Sequence, residues 1–141
     1  MAAELELNIA HRNAILAATG EIFDGGALDI RSGARPGADQ SASGTLLCSV
    51  TLPNPAFGTP SNGSMAKAGS WTGTVAATGE PGHFRLRNSD GTQVREGNAA
   101  EAPGSDETLI LDGLVDGDLI EGGTVTISAY TVSQPAGDAV A

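Results

Sequence analysis

The stretch Gly122-Gly123-Thr124-Val125-Thr126-Ile127-Ser128-Ala129-Tyr130-Thr131-Val132 decides the fold class. Two glycines introduce it. Val125, Ile127 and Ala129 then fall on one face, with Thr124, Thr126 and Ser128 on the other. A period of two in β-branched and small residues marks a strand with one buried side.

Working outward, the same grammar recurs. His83-Phe84-Arg85-Leu86-Arg87 and Thr92-Gln93-Val94-Arg95 flank Asn88-Ser89-Asp90-Gly91, and Asp-Gly between alternating runs signals a hairpin. Phe84 and Leu86 are expected to face inward, Arg85 and Arg87 outward. Ala27-Leu28-Asp29-Ile30-Arg31 alternates in the same way. Gly44 to Leu52 is a longer strand-prone run ended by Pro53 and Pro55, which cannot donate to a ladder. Trp71 to Ala76 is a weaker strand and Thr108 to Leu111 a short one. Residues 32–37, 58–64 and 96–105 are expected as turns or loops, Asp112-Gly113 and Asp116-Gly117 as turns. The small-residue tail after Gln134 is expected to be loose.

Only the N-terminal segment departs from this pattern. Leu5, Ile9, Leu16 and Phe23, with Ile15 and Ile22 beside them, form an apolar stripe at helical spacing. Asn8 is a suitable cap, Gly25-Gly26 a suitable stop, and Gly20 costs the middle about 1 kcal/mol relative to Ala. The expected organisation is a helix or arm over 1–26, a β-sandwich over 27–134 and a flexible tail over 135–141. The chain is thus mainly β, a sandwich of about seven or eight short strands with one N-terminal helix and no internal repeat.

Composition bounds what such a fold does. The 141 residues include 20 Gly and 7 Pro but a single Trp, a single Tyr and three Phe, so one aliphatic core and many turns are expected. Seventeen acids against seven bases leave a net charge of −10. That balance repels phosphate and argues against nucleic acid and anionic membranes as partners. From Glu101 to Ala141 there are acids and no base. Cys48 is the sole cysteine, and its apolar neighbours predict a buried thiol without a disulfide or multi-cysteine metal site. The N-terminus lacks a basic signal region, and no run is long and apolar enough for a membrane span, so a soluble protein made in a cytoplasm is expected.

Catalytic signatures are scarce. Lys67 stands in Met-Ala-Lys-Ala rather than a phosphate loop, and Gly69-Ser70-Trp71-Thr72-Gly73 carries Trp where a nucleophile elbow needs Ser. His11 and His83 have no second ligand at metal spacing and are expected at the surface or its boundary. Asp112, Asp116, Asp118 and Glu121 miss the calcium-loop spacing and fit turn chemistry, with a bound cation as the alternative. No catalytic, cofactor-binding or metal residue is assigned. The outward arginines Arg85, Arg87 and Arg95 form the one basic cluster: solvated or internally paired charge, or an interface with an acidic surface. With Leu5 and Ile9 they are the candidate protein–protein interface.

Several phrases together resemble a family of small proteins from the structural regions of tailed bacteriophages and prophages. They are Arg12-Asn13-Ala14-Ile15-Leu16, Leu28-Asp29-Ile30-Arg31-Ser32-Gly33-Ala34-Arg35-Pro36, Gly44-Thr45-Leu46-Leu47 and Pro53-Asn54-Pro55-Ala56-Phe57-Gly58. Phe84-Arg85-Leu86, Ser89-Asp90-Gly91-Thr92 and Gly122-Gly123-Thr124-Val125 continue the likeness in order, over most of the chain. The resemblance implies a head decoration (cement or staple) protein on a jelly-roll-like sandwich, not an enzyme and without cofactor. It would be made in the bacterial host cytoplasm and carried on the capsid exterior of the virion. Its partners would be the major capsid protein and further copies of itself, as a dimer or trimer. A tail or head–tail connector protein, a glycan-binding module and a small hydrolase are the alternatives.

Overall fold

A computed structural model describes residues 5–98, 107–134 and 137–138. Among them the elements run β1 (Leu5–Glu6), α1 (Ile9–Phe23), β2 (Ala27–Arg31), β3 (Leu46–Thr51), β4 (Ser64–Ala66), β5 (Thr72–Thr74), β6 (His83–Arg87), β7 (Val94–Asn98), β8 (Glu107–Asp112), β9 (Thr124–Ser133) and β10 (Gly137–Asp138). The chain is mainly β, as expected, with one helix and two four-stranded antiparallel sheets.

The first sheet has the order β3-β2-β6-β7. In the second, β9 pairs with β8 along one edge, and with β4 and β5 in succession along the other. The sheets are stitched at one side, where Cys48 bridges Val75 and the Ala76 amide donates to Leu47 O at 2.7 Å. Between them lies a single core that takes Leu28 and Ile30 from β2, Phe84 and Leu86 from β6, and Val125, Ile127, Tyr130 and Val132 from β9.

β9 corrects the simple alternation. Ile110 pairs with Ala129 but Leu111 with Ile127, so Ser128 is an extra, bulged residue. Ser128 and Ala129 both turn away from the core, and the parity changes: Tyr130 and Val132 face inward where alternation alone would send Ala129. This places the only tyrosine among Phe57, Trp71 and Phe84, with ring centroids 5.9, 5.8 and 5.6 Å away. Four of the five aromatic residues thus form one cluster, offset or edge-on as such rings prefer. A second bulge makes Leu47 the extra residue of β3, which buries Leu47 and Cys48 side by side.

The helix is capped as expected, with Asn8 Oδ1 accepting from the His11 amide at 2.9 Å. It starts at Ile9, so Leu5 belongs to β1 and not to the helical stripe. Leu16 and Phe23 bury into the common core, while Ile9 is 46% exposed. Gly20 does not break the helix. Residues 58–64, expected as a loop, hold the tip of a hairpin: Asn62 (φ 52°) and Gly63 (φ 76°) make the tight turn, and Ser61 and Ser64 exchange backbone bonds of 2.8 and 3.0 Å. Asp116 and Gly117 form the same kind of turn between Val115 and Asp118. The loop expected from 96 begins later, since β7 runs to Asn98; residues 99–105 lie outside the described residues. Within the tail, β10 pairs with β1, and the rest of 135–141 lies outside the described residues.

Candidate functional site

The strand alternation sends polar side chains to the outer face of the first sheet. Antiparallel register sets Asp29 of β2 against Ser49 of β3 and Arg85 of β6, and Arg85 against Glu96 of β7. The charges join in two connected groups. Ser49 Oγ donates to Asp29 Oδ1 at 2.6 Å, and Arg87 Nε donates to Asp29 Oδ2 at 3.0 Å. Arg85 Nε donates to Glu96 Oε2 at 3.0 Å.

The connection between β2 and β3 folds back over the second group. Arg85 Nη2 donates to Gly37 O at 2.9 Å and to Gln40 O at 2.7 Å, while Glu96 Oε1 accepts from the Gly37 amide at 2.8 Å. His83 lies under the same strap, fully buried, with Nδ1 3.0 Å from Gly33 O. A carbonyl only accepts, so Nδ1 carries the proton. The Arg85 side chain is 10% exposed and that of Glu96 not at all. A buried pair of this kind is costly to leave half-made, and the strap's carbonyls and amide complete its hydrogen bonding.

Of the five residues assigned to an interface, the structure brings no such cluster together. Arg85 is on the outer face, as the alternation implies, but the strap removes it from solvent. Arg87 is partly exposed and paired with Asp29. Arg95 is on the opposite side: it pairs with Leu86 across the hairpin, faces the core and hydrogen-bonds the Tyr130 phenol. Ile9 is exposed on the first turn of α1. Leu5 is placed by its backbone in β1, its side chain lying outside the described atoms. His83 is interior rather than at a boundary, and His11 is exposed on the helix.

Among the described residues, two groups carry shifted ionisation. Burial raises the Cys48 thiol above its ordinary value, and the nearby Asp29 charge adds to this. Its Sγ lies 3.4 Å from Thr74 O, and the thiol is buried as expected. Burial likewise raises Tyr130, with the Arg95 guanidinium opposing through its charge and hydrogen bond. Asp112, Asp116, Asp118 and Glu121 do not converge with other ligands, and among the described residues no three His, Cys, Asp or Glu side chains do.

A concavity lies elsewhere, between α1 and the segment 55–60. Its volume is about 350 Å³, and its walls include Ala17, Glu21 and Asp24 from the helix and Phe57, Pro60 and Met65 opposite. Asp24 Oδ1 accepts from the Ala56 amide at 2.8 Å and so holds the far wall against the helix end. Comparison with protein-family models, with curated proteins and with solved structures finds no match to this chain.

Proposed function

We propose that the protein is a structural virion component of a tailed bacteriophage, a capsid decoration protein that binds the major capsid protein in many copies. The observation that carries this reading is the pairing of β1 with β10 in a two-stranded ribbon separate from both main sheets. The ribbon joins segments 5–6 and 137–138, distant in sequence, outside a scaffold built around one core. Unpaired strand edges suit lateral contacts between protein subunits. A decoration protein needs such a scaffold and such edges, and it needs no reacting group. The phrases that resemble phage structural proteins point the same way. The composition of purified particles tests the proposal: many copies per shell support decoration, a single ring's worth indicates a connector, and absence from particles overturns both.

A further inference from the structure

The groove between α1 and residues 55–60 combines three features that together specify an occupant. Its floor is apolar, built on Phe57 and Met65, and it is deepened because Gly20 has no side chain: a Cβ there would lie 3.7 Å from Phe57 Cβ and 3.8 Å from Met65 Sδ. Its helix side carries two carboxylates, Glu21 and Asp24. Only Oδ1 of Asp24 is engaged, and no described hydrogen bond or ion pair holds Glu21. No basic residue lines it. Its volume of about 350 Å³ suits a few side chains rather than a whole helix.

We propose that this groove docks a short basic and apolar peptide segment of a partner protein. One arginine or lysine of the segment would meet Glu21 and the free Oδ2 of Asp24, and an adjacent apolar side chain would cover Phe57 and Met65. Charge complementarity selects this occupant over a second copy. The chain carries 17 acids against 7 bases, and Arg85 and Arg87 are already paired within the fold, so copies repel one another while a cationic segment is attracted. The proposal rests on the groove alone and stands apart from the capsid reading, which is tested by particle composition.

The experiment is an amide-correlation NMR titration of the full chain with three capped tripeptides: acetyl-Leu-Arg-Phe-amide and the same peptide with Glu or Ala at the centre. The arginyl peptide is expected to shift amides of residues 17–24 and 57–65 saturably, and the other two to bind roughly fivefold or more weakly. Glu21→Lys should reduce arginyl binding to the level of the alanyl peptide, and Ala17→Phe should abolish binding of all three. Both positions are exposed, so dispersed spectra are retained. Equal binding of the glutamyl or alanyl peptide, shifts confined to other surfaces, or no saturable shift at all overturns the proposal.

Discussion

Arg85 and Arg87 show how burial changes the worth of one side-chain type two residues apart. Arg85 pairs with a wholly buried carboxylate and ties down two strap carbonyls, whereas Arg87 is 39% exposed and has one partner. Arg85→Ala is expected to cost about 3–5 kcal/mol, since it strands the wholly buried Glu96 charge, and Arg87→Ala a smaller loss of about 1–2 kcal/mol, since the nearly buried Asp29 keeps the Ser49 hydroxyl as a partner. Urea unfolding of the two variants checks this; equal losses would refute the strap's role. The alternation of 27–31 and 83–87 does place Asp29, Arg85 and Arg87 on one sheet face in the sequence. The covering strap is not legible there, because it depends on contacts between residues nearly fifty positions apart.

Tyr130 and Cys48 make a pH prediction at the same scale. Both are neutral when protonated, and both have a raised pKa in the folded state. The fold therefore keeps these protons longer than the unfolded chain does. Their contribution to stability is complete below the ordinary values of 9.0 and 10.0 and is lost as pH rises through the folded ones. Urea midpoints should fall between about pH 8 and about pH 11, and Tyr130→Phe should flatten the upper part of that fall. An identical slope in the variant would contradict the assignment.

At the scale of elements, strand existence is legible and strand parity is not. The run from Thr124 to Val132 is a strand in both readings, yet the bulge at Ser128 exchanges Ala129 for Tyr130 on the core side. No local pattern announces a bulge, whose position depends on how β8 meets β9. β4, at three residues, is too short for any periodicity to show, although Asn62-Gly63 is the residue pair its hairpin turn requires. Two glycines inside elements have opposite roles. A Cβ on Gly20 meets Phe57 and Met65 at ordinary contact distances of 3.7 and 3.8 Å, so Gly20→Ala should stabilise the helix by about 0.5–1 kcal/mol. A Cβ on Gly97 would lie 2.7 Å from the Phe84 ring, which is itself packed on Tyr130, so Gly97→Ala should destabilise by about 1–3 kcal/mol. Melting temperatures that move in the same direction for both would contradict the packing described.

At the scale of the whole molecule, ten of the described glycines take positive φ in the connections between elements, around one core held by an aromatic cluster that spans both sheets. The acidic surplus is sharpened rather than neutralised: the arginines expected to face outward are divided between a sealed pair, a pair of which only the arginine is partly exposed, and a core-facing contact. What remains outside is an anionic surface, an acidic groove and a ribbon made from segments 5–6 and 137–138. Fold class followed from local periodicity, whereas the groove and the ribbon bring together distant segments and emerge only in three dimensions. The most direct test of the proposed decoration role is quantitative mass spectrometry of purified particles from cells that encode this chain, calibrated with labelled peptides against the major capsid protein. A decoration protein is expected in constant ratio to the shell subunits, hundreds of copies per particle; absence from particles, or a count matching one ring, would contradict it.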